Sequence, residues 1–341
     1  MSKIVVSVIG AGGKMGARTS NNLAKKPDEF ELLMAEASEA GIKSIKERGF
    51  EPVPVEVALA SEFRYSSPIV DEKTLVIVIS QSGETLDTMA ALREAKRLGA
   101  RTLSIVNVVG STIAKLADHV IYTWAGPEIA VATTKGYTTQ VAVLDMLAVY
   151  LARRLGKLDD QRNKELVEAI LQFPSLIQRA IDLNPNLPAL AQKYHGHNDM
   201  FFIGRNVDYA ASMEGSLKLK EISYLHSEAY AAGELKHGTI ALIEKDRPVI
   251  ALACYEALFD KMMSNIKEVK ARGAQVLAVV LEGNRQIFAE ADDVIFVPRT
   301  EALFNSLPEI VPLQLFAYYV ARANGCDIDK PKNLAKSVTV E

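Results

Sequence analysis

An internal duplication is the feature of this sequence that most constrains its fold. Four segments of the first half return in the second half at a nearly constant offset of 172 to 174 residues. A constant offset over four elements indicates two copies of one folding unit. The matched pairs are Glu56–Phe63 with Glu228–Leu235, Leu75–Ile79 with Val249–Ala253, Ala100–Val106 with Ala274–Val280, and Ala117–Tyr122 with Ala291–Phe296.

Each copy reads as strands that alternate with helices. The apolar runs Val76–Ile79 and Val276–Val280 are typical of strands buried on both faces of a parallel sheet. Thr85–Leu98 has apolar residues at helical spacing, and Gly99 predicts the end of that helix. Right-handed crossovers between such elements predict an α/β fold of two tandem doubly wound parallel sheets of the flavodoxin type.

The segment between the two copies is predicted to be helical. Residues 144–181 have a helical pattern without strand signals and would bridge the copies. Asn184–Pro188 is rich in turn residues and marks the boundary, and the second copy starts near Met200–Gly204.

Composition excludes several classes of partner and location. Of 341 residues, 49% are hydrophobic and 24% are charged, which is a globular mixture, and the net charge of −3 argues against nucleic acid or an anionic membrane as partner. Cys254 and Cys326 lack the spacing of a disulfide framework or a zinc site, so we expect two reduced thiols and a cytoplasmic protein. We expect no transmembrane helix, no metal and no cofactor.

A polar loop follows the apolar run of the first copy. It contains Ser80, Gln81, Ser82 and Thr85 around a glycine, at the carboxyl end of a strand and the start of a helix. Such a position offers free N–H groups and a partial positive charge, and hydroxyls beside it suit a phosphate dianion. A simple helix cap would need only one of these side chains. The loop is therefore a predicted phosphate-binding site.

This loop and its strand resemble the sugar-phosphate loop of SIS (sugar isomerase) domains. More specifically, residues 53–341 resemble the isomerising half of the glutamine–fructose-6-phosphate aminotransferase (glucosamine-6-phosphate synthase) family. The resemblance covers 289 of the 341 residues and predicts two SIS domains. It is carried by Ala60–Tyr65, Gly126–Lys135, Leu217–Ser223, Ala229–Gly238 and Asn333–Glu341.

The resemblance implies catalytic roles for four side chains. Glu221 would be the enediol base, and Lys218, three residues earlier on the same predicted helix face, would assist it. His237 would open the sugar ring across a dimer interface. Lys336, in a tail that folds over the sugar, would form a Schiff base with the open-chain ketose.

A second loop is implied to line the sugar. Val131, Ala132 and Thr133 match the lining residues of the family, which usually has serine at the position of Thr133. Lys332 stands where arginine is more usual, and a lysine lacks the planar fork of a guanidinium. The implied partners are a hexose 6-phosphate and a second copy of this chain.

The first 52 residues depart from the family. They resemble the start of an NAD(P)-binding Rossmann dehydrogenase, with a strand leading into Gly10–Gly16 and an acidic Glu36 twenty positions after Gly16. The hydroxyl-bearing first turn of SIS domains is absent at 33–36. We therefore predict three regions: 1–52, an extra β-α element that completes the first sheet; 53–183, the first SIS domain; and 184–341, the second.

The functional readings stay open at this stage. Because Ser2 is not a cysteine nucleophile, we expect no glutaminase domain and ammonia as a nitrogen donor for amination of fructose 6-phosphate, with plain isomerisation to glucose 6-phosphate as the other outcome. A fructosamine-phosphate deglycase, a non-catalytic sugar-phosphate module and an NAD(P)-dependent oxidoreductase are the alternatives. The co-occurrence of Glu221, His237 and Lys336 favours an enzyme.

Overall fold

The computed structural model describes residues 4–7, 30–33 and 55–336. The glycine turn Gly10–Gly16, Glu36 and the tail beyond Lys336 lie outside the described residues. The predictions of a dinucleotide turn and of a complete C-terminal lid therefore stay predictions.

The described residues form ten strands. In chain order they are β1 Ile4–Ser7, β2 Phe30–Leu33, β3 Leu75–Ser80, β4 Arg101–Val106, β5 His119–Tyr122, β6 Asp199–Gly204, β7 His226–Ala231, β8 Pro248–Leu252, β9 Gln275–Leu281 and β10 Asp293–Val297.

The described residues also form ten α-helices. They are α1 Ala60–Phe63, α2 Leu86–Arg97, α3 Thr112–Leu116, α4 Lys135–Arg154, α5 Asp160–Leu171, α6 Phe173–Asp182, α7 Leu187–Tyr194, α8 Val207–Ser223, α9 Phe259–Lys270 and α10 Ser306–Ala323. Short 3₁₀ turns lie at Leu235–His237, Thr239–Leu242, Glu256–Leu258, Gln286–Ala289 and Ala302–Phe304.

The chain divides into two compact units. The smaller unit comprises Met1–Thr74 and Ala90–Arg101, and the larger comprises Leu75–Met89 and Thr102–Glu341. In the smaller unit β1 pairs with β2 in parallel. The proposal that residues 1–52 complete the first sheet stays a prediction, since β1 and β2 are hydrogen-bonded only to each other among the described strands.

The second copy has the doubly wound topology that the sequence predicts. Its strands lie in the order β10-β9-β8-β6-β7, and every neighbouring pair is parallel. This is the flavodoxin order, with the topological switch between β6 and β8. The first copy contributes a three-stranded sheet in the order β3-β4-β5.

Apolar cores cover both faces of the five-stranded sheet. On one face Phe202 and Ile250 pack with Leu219 of α8 and Phe316 of α10. The opposite core contains Val280 together with other buried residues of β8, β9 and α9. Each such fully buried side chain contributes roughly 1.5–3 kcal/mol relative to exposure. These cores fix α8, which carries two of the predicted catalytic residues.

Strand burial agrees with the prediction in the second copy and not in the first. Every residue of β8 is buried, whereas Leu75 and Ile79 of β3 are 44% and 41% exposed. The prediction of burial on both faces is therefore wrong for β3, because a three-stranded sheet buries less of each strand than a five-stranded one. The helix predicted over Thr85–Leu98 is confirmed as α2, and Gly99 has the expected positive φ of 92°.

The predicted boundary at Asn184–Pro188 is not a loose connection. Asn184 is 4% exposed, and its side-chain amide donates to the carbonyls of Ala180 and Phe296 at 2.8 and 2.7 Å. Its Oδ1 accepts from the Phe296 N–H at 2.9 Å. Turn residues mark the end of α6, but this asparagine also joins it to β10.

Candidate active site

The predicted phosphate loop forms one tight turn at the carboxyl end of β3. The Ser80 hydroxyl lies 3.0 Å from the Thr85 hydroxyl and accepts a hydrogen bond from the Gly83 N–H at 3.0 Å. The Glu84 N–H donates to the Ser82 hydroxyl at 3.2 Å. The structure thus brings three of the predicted phosphate ligands to the start of α2, where helix N–H groups favour an anion.

Two contacts fix this loop against the start of α3. Gly83 has φ +67°, and a Cβ there would lie 2.1 Å from the Ser111 hydroxyl, so only glycine fits. The Glu84 carboxylate accepts from the Thr112 N–H at 2.8 Å, and this hydrogen bond lowers the pKa of Glu84. Ser111 is 4% exposed, and its hydroxyl has no partner among the described residues.

A buried ion-pair cluster lies on α8. Lys218, 4% exposed, places its Nζ 2.6 Å from Glu221 Oε2 and 3.4 Å from Glu214 Oε1. Glu221 Oε2 is buried and accepts no well-directed hydrogen bond from the described residues, so its contact with Lys218 is ionic. Burial raises the pKa of Glu214 to about 7, against the opposing effect of Lys218. The cluster can hold and move a proton near neutral pH.

Lys336 reaches the second predicted loop. Its Nζ donates to the Ala130 carbonyl at 2.6 Å and lies 3.4 Å from the Thr133 hydroxyl. Of the predicted lining residues, Thr133 therefore contacts the amine directly. Val131 contributes its backbone, whereas the Ala132 methyl is buried in the apolar core around Phe202.

A glycine lets the two loops approach each other. A Cβ at Gly136, in the first turn of α4, would lie 2.7 Å from Thr133 Cγ2 and 3.1 Å from both Gln81 Cγ and Glu128 Oε2. No larger side chain fits there without displacing these groups. Gln81 of the phosphate loop is thereby placed beside the loop that holds Lys336.

The Lys336 amine shares its electrostatic surroundings with the α8 cluster. Partial burial lowers the pKa of Lys336, and nearby Lys218 and Lys135 act in the same direction. Glu128 and Glu221 oppose them. The predicted Schiff-base lysine, the predicted base and its neighbouring lysine therefore lie within one electrostatic environment, and a lowered pKa suits an amine nucleophile.

The residues before Lys336 are tied to the same region. The Val131 N–H donates to the Asp329 carbonyl at 3.1 Å. The Lys332 N–H donates to the Tyr224 hydroxyl at 2.8 Å, and the Lys332 ammonium lies 4.3 Å from the centre of the Tyr224 ring. Tyr224 follows α8 directly, so this cation–π contact anchors the segment before Lys336 to the end of α8.

His237 is the predicted catalytic residue that the structure does not bring to this cluster. It ends an exposed 3₁₀ turn, where its N–H donates to the Glu234 carbonyl at 2.9 Å. Within residues 55–336, no hydrogen bond or ion pair joins its ring to Glu221 or Lys336.

Sequence reasoning missed two carboxylates of the site. Glu214 was recoverable, because it lies four residues before Lys218 and hence on the same helical face. Glu128 stands within the motif Gly126–Lys135, but nothing in the sequence indicates that its carboxylate accepts from the Gly136 N–H at 2.7 Å.

Comparison with known proteins identifies the family. The sequence profile of the SIS domain matches residues 46–150 and 193–322, and the chain belongs to the SIS-domain family. Two bacterial proteins named glutamine–fructose-6-phosphate aminotransferase (isomerizing) are similar to it: the Clostridium tetani protein is 55% identical over 85% of this chain, and the Caldanaerobacter subterraneus protein 52% over 95%. The matches cover 48% and 53% of those proteins, so the chain spans about half their length.

Solved structures agree with this assignment. The C-terminal domain of glucosamine-fructose-6-phosphate aminotransferase from Francisella tularensis superposes with a TM-score of 0.76 at 35% identity, covering 82% of this chain and 78% of that domain. Glucosamine-6-phosphate deaminase from Thermotoga maritima, 20% identical with a TM-score of 0.61, covers 99% of this chain and 91% of its own and shares the fold. The predicted fold and family are confirmed. None of the helices in the described part of the chain is long and apolar enough to cross a membrane.

Proposed function

We propose that this chain binds a hexose 6-phosphate and converts fructose 6-phosphate by open-chain imine and enediol chemistry. With ammonia the product is glucosamine 6-phosphate, and without it glucose 6-phosphate. One observation carries the proposal: Lys336 lies in the same electrostatic environment as the Lys218–Glu221 pair and contacts the loop that adjoins Gln81.

Binding is assigned to the loop after β3. The hydroxyls of Ser80, Ser82 and Thr85, with Gln81, would hold the phosphate at the start of α2. Hydrogen bonds to a charged partner are worth roughly 1.5–3 kcal/mol each. The hydroxyl of Thr133 and the backbone of residues 131–132 would face the sugar chain.

Ring opening is assigned to His237 of a second copy. This assignment is supported by the exposed position of His237 and by the lack, within residues 55–336, of any hydrogen bond or ion pair between its ring and Glu221 or Lys336. An imidazole can give a proton to the ring oxygen and take one from the anomeric hydroxyl near neutral pH. A homodimer is thus part of the proposal.

Imine formation is assigned to Lys336. The neutral amine adds to the C2 carbonyl, the carbonyl oxygen becomes a hydroxyl, and that hydroxyl leaves as water to give the imine. Ammonia then replaces the lysine at C2 and releases the amine. The lowered pKa of Lys336 supports this role, because only the neutral amine is a nucleophile.

Proton transfer is assigned to Glu221. Its carboxylate would take a proton from C1 and return it to C2, while the C1 hydroxyl loses its proton and the imine nitrogen gains one. These two proton shifts convert the ketose imine into the amino aldose. Lys218, held between two carboxylates, would stabilise the developing enediolate charge. A base within reach of both carbons contributes about 10²- to 10⁴-fold to such a step.

The test is glucosamine 6-phosphate formation from fructose 6-phosphate and ammonium, with glucose 6-phosphate followed in the same reaction. We expect product with the wild type and a loss of about 10³-fold in Glu221→Gln, with fructose 6-phosphate binding kept. Saturable binding without product would instead favour a non-catalytic module. Release of ammonia from fructosamine 6-phosphate, without the forward reaction, would favour a deglycase.

We also infer a cytoplasmic location. Cys254 is buried and Cys326 is partly exposed, and both are free thiols. Unpaired cysteines are typical of a reducing compartment.

A further inference from the structure

Glu128 bridges the loop around the catalytic amine to the start of α4. Its Oε2 accepts a hydrogen bond from the Gly136 N–H at 2.7 Å. Gly136 is the second residue of α4, so the carboxylate satisfies one of the free N–H groups of that helix and lies at its positive end. The segment from residue 128 to residue 136 is thereby closed into a loop.

The same loop holds the Lys336 amine. The Ala130 carbonyl and the Thr133 hydroxyl, both between the two ends of this closed loop, are the acceptors that contact Nζ. Among the charged neighbours of Lys336, Glu128 has the largest effect on the pKa of the amine. It raises this pKa, whereas burial lowers it. Glu128 is therefore linked to the amine through the loop geometry and through its charge.

We propose that Glu128 is a positioning residue for Lys336: its carboxylate closes the loop that holds the amine and sets the charge that the amine carries before substrate binds. The inference rests on the proposed function, in which Lys336 forms the imine. It assigns no contact between Glu128 and the substrate.

The neighbouring charges make Glu128 the suitable group for this task. Glu221, the other carboxylate near Lys336, forms a close ion pair with Lys218, and Glu214 is a second partner of that lysine. Lys135 and Lys218 together would drive the proton from Lys336. Glu128 opposes this effect and raises the pKa of the amine.

The decisive variant is Glu128→Gln, because a glutamine oxygen can still accept from the Gly136 N–H while the charge is gone. Borohydride reduces the imine between Lys336 and fructose 6-phosphate to a stable adduct. We expect the pH profile of adduct formation to move to lower pH by about 0.5–1 unit. A residue with a purely structural role would change the amount of folded protein and leave this profile unmoved.

Three variants control the experiment. Glu128→Asp restores the charge and should return the profile toward that of the wild type. Glu128→Ala removes both charge and hydrogen bond and should also reduce the yield of trapped adduct. Asp292→Asn alters a carboxylate that accepts from the Val276 N–H at 2.7 Å in the second copy, and it should leave the profile unchanged.

A second measurement separates this inference from the proposed function. Reductive ¹³C-methylation of the full chain allows the Lys336 titration to be followed by NMR without substrate, with Lys336→Arg for assignment. A lower Lys336 pKa in Glu128→Gln than in the wild type supports the inference. If Lys336 titrates at the same pH in both proteins, the inference is overturned. If the wild type is never trapped by fructose 6-phosphate, the proposed imine chemistry fails, and the NMR titration still decides the role of Glu128.

Discussion

The loops that follow β3 and β8 hold corresponding places in the two copies, yet they present opposite chemistry. The first loop presents hydroxyls at the start of α2, around Ser80, Ser82 and Thr85. In the second, the N–H groups of Cys254 and Tyr255 donate to the Asp208 carboxylate at 3.0 and 3.1 Å. The N–H groups that could bind an anion are thus bonded to a carboxylate of the same chain.

A second buried carboxyl group, that of Glu309, lies near Asp208. Glu309 of α10 is fully buried, and neither of its oxygens accepts a hydrogen bond from the described residues. Burial, and then the charge of Asp208, raise the pKa of Glu309 well above its usual value. A protonated Glu309 has a hydrogen to donate to Asp208, whose own pKa burial raises to about 6.

The two copies supply different parts of the proposed site. The first copy supplies the loop proposed to bind phosphate, while the second supplies α8 with Lys218 and Glu221. The loop after β8 contributes to stability, because Asp208 lies in the first turn of α8 and accepts hydrogen bonds from this loop, which joins the helix to the end of β8.

The strongest test of this division is Asp208→Ala. It leaves two buried N–H groups and Glu309 without their partner, and we expect a loss of about 3 kcal/mol in the free energy of unfolding. Urea denaturation measures it. Asp208→Asn, which keeps one acceptor, should lose less; equal stability of all three proteins would contradict the structural role of this loop.

A smaller effect is expected on the Kd of fructose 6-phosphate, which should depend on the loop after β3 and not on the loop after β8. Ser82→Ala removes a hydroxyl proposed to contact phosphate, and we expect the Kd of fructose 6-phosphate to rise about tenfold. The matched variant is Glu256→Ala, an exposed residue 174 positions later that follows Tyr255, and it should leave the Kd unchanged. Calorimetry measures both, and an equal rise in the two variants would break the comparison.

The third expected effect is a pH dependence of stability. Folded Glu309 keeps its proton above its usual pKa while the unfolded chain releases it, so stability should fall as pH rises, by at most about 1.4 kcal/mol per unit. Glu309→Gln should flatten this slope between pH 6.5 and 8.5.

Melting temperatures across that range provide the measurement, and exposed Asp260→Asn should keep the wild-type slope. Three other titratable groups lie near Glu309: Asp208, whose pKa burial raises to about 6, and Cys254 and Tyr137, whose pKa values burial also raises. The unfolded Cys254 thiol, with a usual pKa of about 8.5, adds to the fall in stability near the upper end of this range, and Asp208 adds to it near the lower end. Tyr137 adds nothing below its usual pKa of about 10. The contribution of Glu309 is therefore the part of the slope that Glu309→Gln removes. An unchanged slope in Glu309→Gln would mean that Glu309 is ionised when folded.

The sequence predicts local features of this protein better than its tertiary contacts. The helix that ends before Gly99 and the pairing of Lys218 with Glu221 follow from periodicity and spacing over a few residues, and the duplication follows from comparing the two halves of the sequence directly. The return of Asp208 to the loop after β8 joins residues 46 positions apart and has no local signal. Glu128 was missed for a related reason, because its partner is a backbone group that any sequence would supply.

The hydrogen bond between Val131 and Asp329 joins the loop Val131–Thr133 to the segment before Lys336 through main-chain atoms alone. Any ligand that stabilises one of these segments in this arrangement must also stabilise the other, and the coupling is reciprocal. Because both atoms belong to the main chain, substitutions in either segment keep this hydrogen bond, unless proline replaces Val131 and removes the N–H donor. A ligand that orders the segment Val131–Thr133 would therefore also restrain the backbone at Asp329.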